Sequence, residues 1–197
     1  MADGKKEEKK QEPSGRGLYE WAQALVCSVL AAVVLFAFGA RVVGVSGGSM
    51  RETLQDGDLL LVVNRTLCGD FHRGDVVIAA KSSFEDGEPI VKRVIATGGQ
   101  TVDVDFERGV VYVDGTALEE PYIREETHLW GGTEFPFTVP EGCVFLMGDN
   151  RNESRDSRAP ELGAVDERCL IGRAVFLLLP GQTKDLGMRE WGRIGRL

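Results

Sequence analysis

The run Ile90-Val-Lys-Arg-Val-Ile-Ala96 is a short apolar segment rich in β-branched residues, and Lys92 and Arg93 interrupt it. A run of this length and composition predicts a β-strand. Similar runs precede and follow it, and Gly and Pro residues separate them as turns do. The other predicted strands cover residues 59–63, 76–80, 101–105, 110–113, 143–147 and 174–179.

The composition of the chain agrees with a β-rich fold. Of the 197 residues, 43% are apolar and 25 are glycine, which favours a turn-rich β protein over a helical bundle. The pair Asp114-Gly115 after one predicted strand indicates a tight turn. We therefore expect a mainly β fold with an antiparallel β-sheet, arranged as a sandwich or as a folded, barrel-like sheet.

One segment departs from this pattern, because residues 22–40 are 19 consecutive residues without a charge. As a helix the segment would be about 29 Å long, which matches a hydrocarbon core of roughly 30 Å. Tyr19 and Trp21 precede it, where interfacial aromatic residues are common. A buried core helix and a cleaved signal peptide are the alternatives, but the apolar stretch of a signal peptide is usually only about 7–15 residues long. We expect a retained transmembrane anchor within residues 18–44.

The positive charges around this segment predict its orientation. Five Lys or Arg residues precede the span, and two, Arg41 and Arg51, fall in the 20 residues after it. The positive-inside rule then places the N-terminus in the cytoplasm and the rest of the chain outside the plasma membrane, with a single pass. The predicted organisation is a disordered cytoplasmic tail (1–17), the anchor (18–44), an extracytoplasmic β-rich domain (45–181) and a C-terminal tail (182–197).

Several classes of site are not indicated. The net charge is −8 and no Lys/Arg stripe lies beyond the N-terminus, so we expect no nucleic-acid partner. The spacing of Cys68, Cys143 and Cys169 fits neither a zinc cluster nor a redox pair, so we expect no metal. We expect these cysteines to be buried apolar residues, with one disulfide as the alternative. His72 and His128 are predicted to be exposed loop residues.

Ser49 lies in Val-Ser-Gly-Gly-Ser-Met, residues 45–50, just after the apolar span. A serine hydroxyl needs a base to become a good nucleophile, and no histidine triad is recognisable. Lys92 is therefore the candidate base. At pH 7 the neutral form of a free lysine lies about 4.6 kcal/mol above the charged form. Burial lowers a lysine pKa by up to roughly 3–5 units, so a buried Lys92 would suit this role.

The burial of Lys92 is an open question in the sequence. Adjacent residues face opposite sides of a strand, so we do not expect Lys92 and Arg93 both to face inward. The sequence does not say which of them does. A solvent-facing Lys92 is the simpler alternative, because lysine is rarely buried.

Other motifs favour the buried alternative. Ser-Met (49–50), Gly-Asp-Val-Val (74–77), Lys-Arg-Val-Ile (92–95) and the segment Gly148-Asp-Asn-Arg-Asn-Glu-Ser-Arg-Asp-Ser-Arg158 occur in this order. From about residue 18 to residue 180 the chain resembles the bacterial type I signal peptidases. These are membrane-anchored Ser-Lys proteases that remove signal peptides from exported preproteins. The eleven-residue segment 148–158 is the most specific part of the resemblance.

The resemblance implies a set of roles. Ser49 is the implied nucleophile and Lys92 the implied general base. Ser154 is implied to hydrogen-bond and hold the lysine, and Met50 to lie near the substrate pocket. Four charged residues are implied to support the geometry of the site: Arg93, Asp149, Asp156 and Arg158.

The resemblance also implies what the site acts on. The family cuts after small residues, typically Ala, at the first and third positions before the cut, a small-x-small pattern. The implied partners are preproteins that carry a signal peptide, the lipid bilayer and the protein translocation machinery. No cofactor is implied.

The chain departs from the family pattern at two positions. Where the family often has a hydroxyl residue two positions before the nucleophile, this chain has Gly47, and Ser46 is one residue too early. We therefore expect an oxyanion hole dominated by backbone N–H groups, including that of Ser49. Glu52 replaces the proline of the family's Ser-Met-x-Pro-Thr-Leu. Proline would fix φ, so Glu52 is expected to loosen the segment and to add a charge near the site.

Two other functions compete with this interpretation. Another Ser-Lys peptidase, of the self-cleaving repressor type, is disfavoured by the apolar span and by the lack of a basic DNA-reading helix. A catalytically silent, membrane-tethered β-domain that binds exported proteins is the second alternative. Glu52 is the only feature of the sequence that supports it.

Overall fold

The computed structural model describes residues 15–34, 39–182 and 188–197. The chain forms two compact units, Met1–Phe38 and Gly39–Leu197. Residues 1–14 of the predicted tail lie outside the described residues, as do residues 183–187. The described part of the first unit is one helix, α1 (Gly15–Val34).

Helix α1 contains most of the predicted membrane span. Its residues Gly17–Val34 have a mean hydropathy of 1.5, so the helix is long and apolar enough to cross a membrane by length and composition. Its large apolar side chains are more than half exposed, Leu18, Trp21 and Leu25 among them. A helix that is apolar on all sides is typical of a membrane span or of a protein core.

The predicted boundary of the anchor at residue 44 is wrong. Residues Ala40–Gly44 form a strand, β1, which pairs antiparallel with β2 (Leu59–Asn64). The consecutive β-branched residues Val42 and Val43 favour an extended backbone, and the ladder with β2 pairs their polar backbone groups. Residues 35–38, near the end of the predicted span, lie outside the described residues.

The strands of the second unit pair antiparallel with one another. Besides β1 and β2 they are β3 (Val76–Ala79), β4 (Ile90–Thr97), β5 (Thr101–Asp105), β6 (Val110–Val113), β7 (Thr116–Ala117), β8 (Phe137–Thr138), β9 (Cys143–Met147), β10 (Val165–Asp166), β11 (Leu170–Leu179) and β12 (Gly195–Arg196). One short helix, α2 (Arg65–Cys68), follows β2.

These strands form two sheets. The larger has eight strands in the order β1-β2-β11-β3-β4-β9-β10, with β12 paired to β11, and the smaller has four in the order β7-β6-β5-β8. The predicted mainly β, antiparallel fold is confirmed, and every predicted strand is present. The predicted turn at Asp114-Gly115 joins β6 to β7 with positive φ at both residues.

The differences from prediction lie at short elements. Strand β11 begins four residues before the predicted 174, at Leu170. The predicted C-terminal tail contributes β12 to the larger sheet, after a 3-10 turn at Trp191–Arg193. All four cysteines are free, so the alternative of a disulfide is not formed. His72 and His128 are exposed, as predicted.

The core of the larger sheet holds the segment that follows Ser49. Met50 and Leu54 are almost fully buried and pack in one apolar cluster with Leu60 and Val62 of β2. Leu54 N–H donates to the Met50 carbonyl at 2.8 Å. The apolar core therefore fixes the backbone just beyond Ser49.

Strand β4 supplies the other side of this region. It lies inside the larger sheet between β3 and β9, where Lys92 pairs with Val77 and Arg93 pairs with Met147. A strand that is hydrogen-bonded along both edges has little freedom to shift. The backbone of Lys92 and Arg93 is thus held more firmly than that of a surface loop.

The burial of Leu54 yields a stability prediction. Leu54→Ala should lower the free energy of unfolding by about 2–5 kcal/mol, because it leaves a cavity in the core beneath the Ser49 segment. Denaturant unfolding of the purified protein in detergent measures this change. Leu67→Ala is the matched control, since Leu67 is 63% exposed on α2 and should change stability little. Equal losses in the two variants would contradict the prediction.

Candidate active site

Ser49 lies on a tight loop between β1 and β2. Val45 N–H donates to the Asp58 carbonyl at 2.8 Å, and Gly47 N–H donates to Asp56 Oδ1 at 2.9 Å. Gly47 has a φ of 89°, in the left-handed region that glycine adopts without strain. These contacts set the course of the loop that presents Ser49.

Ser49 and Lys92 come together across the loop and β4. Lys92 Nζ donates to Ser49 Oγ at 2.7 Å. The Lys92 side chain is almost fully buried, with 4% of the residue exposed. The buried alternative is therefore confirmed, and the solvent-facing alternative is wrong.

The surroundings of Lys92 favour its neutral form. Burial lowers the pKa of Lys92, because the ammonium loses its hydration while the amine loses little. The negative charges of Asp156, Glu85 and Asp149 act in the opposite direction, and burial is the larger effect. The amine is therefore more readily available as a base than a lysine in water.

Arg93 is buried as well, which corrects the expectation that only one of Lys92 and Arg93 faces inward. The two side chains do leave opposite sides of β4, but both sides are covered here. Arg93 Nε donates to Asp149 Oδ1 at 2.8 Å and Nη2 donates to Oδ2 at 2.6 Å. Tyr122 places its ring 4.0 Å from the guanidinium carbon, and Thr53 Oγ1 donates to Asp149 Oδ2 at 2.5 Å.

A second buried ion pair joins Asp156 to Arg158. Arg158 Nε and Nη2 each donate to the Asp156 carboxylate at 2.8 Å. Gly148 N–H donates to Asp156 Oδ2 at 3.0 Å, and Arg158 Nη2 also donates to the Arg151 carbonyl at 2.6 Å. Hydrogen bonds of Asp156 and Arg158 thus hold segment 148–158 together internally.

Ser154 does not make the hydrogen bond that the resemblance implies. Its Oγ is buried and has no hydrogen-bond partner among the residues that the structure describes. The expected hydrogen bond to Lys92 is therefore absent, and Lys92 Nζ donates to Ser49 Oγ. Gly148 lies against both Ser154 and Ser49, and a Cβ at this position would collide with Ser154 Oγ and with the Ser49 carbonyl.

The Glu52 side chain lies at the surface. It is 69% exposed and lies 3.9 Å from the guanidinium of Arg124, and the backbone of Glu52 bridges to Ile123. The extra charge is therefore placed at the surface beside a cation. This geometry gives no support to a catalytically silent site.

The dyad opens into a cleft of about 580 Å³. Apolar side chains on its wall come from Val43, Met50 and Val91. Glu85 and Glu88 lie at its margin. Within residues 15–34, 39–182 and 188–197, no group of three or more His, Cys, Asp or Glu residues is placed to hold a metal ion.

Some residues of the site could not be assigned from the sequence. Thr53 and Tyr122 contact the Arg93–Asp149 pair, and Glu120 pairs with the buried Arg151 at 2.5 Å. Of these residues, only Arg151 could have been singled out from the sequence, because it lies in segment 148–158, the most specific part of the resemblance.

A serine hydroxyl within hydrogen-bond distance of a buried lysine amine, in an open cleft, is an arrangement that serine hydrolases use. A family model described as "Signal peptidase, peptidase S26" matches residues 18–179. The chain therefore belongs to the signal peptidase family and is a serine endopeptidase.

Two sequence relatives agree with this assignment. Signal peptidase I of Bacillus licheniformis is 36% identical over 181 residues, which is 88% of this chain and 95% of the relative. Signal peptidase I T of Bacillus subtilis strain 168 is 36% identical over 170 residues, which is 82% of this chain and 85% of the relative. A crystal structure of a signal peptidase I from Enterococcus faecalis V583 covers 53% of this chain and 96% of its own, with 29% identity and a TM-score of 0.43.

The Arg93–Asp149 pair yields the second prediction. Asp149→Asn should lower the free energy of unfolding by about 3–5 kcal/mol, because it leaves the buried Arg93 without a counter-charge. Thermal or denaturant unfolding in detergent measures the change. Asp105→Asn is the matched control, since Asp105 lies 3.7 Å from Arg108, whose side chain is 79% exposed. Equal losses of unfolding free energy in both variants would show that the buried Arg93–Asp149 pair contributes no more to stability than an exposed pair.

Proposed function

We propose that this protein is a membrane-anchored signal peptidase that removes N-terminal signal peptides from exported preproteins with a Ser49–Lys92 dyad. The observation that carries the proposal is the 2.7 Å contact between Ser49 Oγ and the buried Lys92 Nζ. The membership of the chain in the signal peptidase family supports it.

In the proposed reaction, neutral Lys92 removes the proton from Ser49 Oγ as Oγ bonds to the carbonyl carbon at the cleavage site. The carbonyl π electrons move onto oxygen and form a tetrahedral intermediate. When this intermediate collapses, the C–N bond breaks and the Lys92 ammonium returns the proton to the leaving amine of the mature protein. Lys92 then removes a proton from water, and the hydroxide attacks the acyl-enzyme. This attack forms a second tetrahedral intermediate. When it collapses, the bond to Ser49 Oγ breaks, the signal peptide leaves as a carboxylic acid, and the Lys92 ammonium returns the proton to Ser49 Oγ.

The oxyanion of the tetrahedral intermediate needs hydrogen-bond donors. Gly47 has no side chain, so it provides no hydroxyl donor. The backbone N–H of Ser49 is the proposed donor, because a nucleophile's own N–H lies next to the oxygen that becomes charged. The two buried ion pairs are proposed to hold the surrounding backbone in place.

The cleft supports a preference for small residues at the cut. Val43, Met50 and Val91 give it an apolar wall that the core fixes in place. The proposed role of this wall is to exclude large side chains at the first and third positions before the cut and to accept Ala. We therefore propose cleavage after small-x-small sequences.

Helix α1 is the proposed membrane anchor. Its length and exposed apolar side chains suit a hydrocarbon core. The excess of Lys and Arg before the helix supports a cytoplasmic N-terminus and an extracytoplasmic peptidase unit at the plasma membrane. The bilayer and the translocation machinery are the proposed surroundings in which it meets preproteins.

The dyad is tested by substitution of its two members. Ser49→Ala and Lys92→Ala should each abolish cleavage of a preprotein with Ala at the first and third positions before the cut, while both proteins remain folded. Mass spectrometry of the products locates the cut, and near-UV circular dichroism reports the fold. Ser82→Ala, at an exposed serine outside the dyad, should cleave normally. Substantial cleavage by Ser49→Ala or by Lys92→Ala would contradict the proposed mechanism.

The lowered pKa of Lys92 predicts the pH dependence. As the pH falls through the pKa of Lys92, the amine becomes protonated and kcat/KM should fall, with a midpoint below the ordinary lysine value of 10.5. Asp156, Asp149 and Glu85 raise this pKa, and Arg158 lowers it. Glu85→Gln should therefore move the midpoint to lower pH. Glu107→Gln, at an exposed site remote from the dyad, is the control. A midpoint that moves upward in Glu85→Gln would contradict this account.

A further inference from the structure

Asn150 is fully buried and holds two consecutive carbonyls of the loop that carries Ser49. Its backbone N–H donates to the Ser49 carbonyl at 3.0 Å, and its side-chain Nδ2 donates to the Gly48 carbonyl at 3.0 Å. Asn150 comes from the segment 148–158, about a hundred residues away along the chain. Nothing in the mechanism proposed above uses this residue.

The two contacts determine where the next N–H group points. The peptide unit is planar and trans, so its C=O and N–H point in opposite directions. The Gly48 carbonyl accepts from Asn150 Nδ2 at 3.0 Å and from the Arg51 N–H at 3.2 Å, so the N–H of Ser49 is turned to the opposite side. Within residues 39–182 and 188–197 no acceptor receives a hydrogen bond from this N–H. It is therefore left free for an oxygen of the substrate.

The orientation of the Asn150 amide is fixed by its other neighbour. Nδ2 also donates to Glu153 Oε2 at 2.9 Å, whereas Oδ1 is buried and has no partner among the described residues. If the amide were reversed, Oδ1 would face two acceptors, the Gly48 carbonyl and the Glu153 carboxylate. The site thus uses the donor end of Asn150 and leaves the acceptor end unpaired.

We propose that Asn150 is the positioning residue of the oxyanion hole: its Nδ2 contact with the Gly48 carbonyl holds the Ser49 N–H in the direction of the developing oxyanion. This inference rests on the Ser49–Lys92 mechanism proposed above. It assigns no contact between Asn150 and the substrate. Asn150 acts through the peptide unit that joins Gly48 to Ser49.

The test compares Asn150→Asp with the wild-type chain in detergent. Asp has nearly the same shape as Asn but cannot donate to the Gly48 carbonyl when ionised. The expected loss in kcat for preprotein cleavage is about 10- to 100-fold, as for a displaced oxyanion donor, with KM changed only a few-fold. The carboxylate added by Asn150→Asp raises the pKa of Lys92, as other nearby carboxylates do, so the pH midpoint is read in the uncharged variant Asn150→Ser, where it should not move.

A second readout reports the hole itself. A peptide aldehyde forms a tetrahedral adduct with Ser49, in which Oγ bonds to the aldehyde carbon and the Oγ proton passes to Lys92. Its affinity should fall by about the same factor as kcat/KM, because the adduct places its oxygen at the same N–H group. A role limited to stability would lower the melting temperature without this parallel loss in the folded protein.

Two further variants make the test decisive. Asn150→Ser removes the amide without adding a charge and should reproduce the loss in kcat. Asn152→Asp is the matched control in the same turn, since the Asn152 side chain contacts residues 126–129 instead, and it should cleave normally.

Three results would overturn the inference: kcat within about two-fold of wild type in folded Asn150→Ser, an equal loss in Asn152→Asp, or a moved pH midpoint in Asn150→Ser. Cleavage by Ser49→Ala would instead overturn the dyad. The two failures are therefore distinguishable.

Discussion

The burial of the Lys92 amine within 2.7 Å of Ser49 Oγ is the constraint on which the rest of the site depends. An amine buried next to a free carboxylate would keep its proton, because the opposite charge stabilises the ammonium. Here the two nearby aspartates are each occupied by an arginine, Asp149 by Arg93 and Asp156 by Arg158. These pairs supply local negative charge without a direct ion pair to Lys92, so desolvation remains the dominant effect on its pKa.

The same ion pairs give order to a segment that has little regular structure. Between residues 148 and 158 the only helical element is a 3-10 turn at Arg151–Glu153, so helix and sheet hydrogen bonds hold little of this segment. Buried ion pairs orient groups more reliably than they stabilise a fold, because the desolvation of both charges offsets much of their attraction. Arg151 adds a third buried pair with Glu120, which attaches the segment to the chain outside it.

The strands could be predicted because β-branched runs and Gly or Pro turns are local signals, and the long runs were all found. The two-residue strands, such as Thr116–Ala117, carry too little sequence to show a pattern and exist only because a partner strand is present. Lys92 was identifiable from its place in an apolar run. The burial of both Lys92 and Arg93 could not be predicted from the sequence. It depends on contacts with Asp149 and Tyr122, which lie far away along the chain. The hydrogen bond expected between Ser154 and Lys92 is not formed for a similar reason. The rotamer of a buried serine depends on the residues packed around it, which the sequence does not reveal.

Gly148 shows how far the demands of the dyad extend beyond its two reacting groups. The backbone at this residue runs so close to Ser154 and to the Ser49 carbonyl that even one methyl group has no room. The position has no titratable atom and contributes no apolar area, yet its mutational tolerance is set by the nucleophile loop on one side and a buried hydroxyl on the other. A side chain at residue 148 would therefore displace either the nucleophile loop or the Ser154 hydroxyl, so a position with no reacting atom is still part of what the dyad requires.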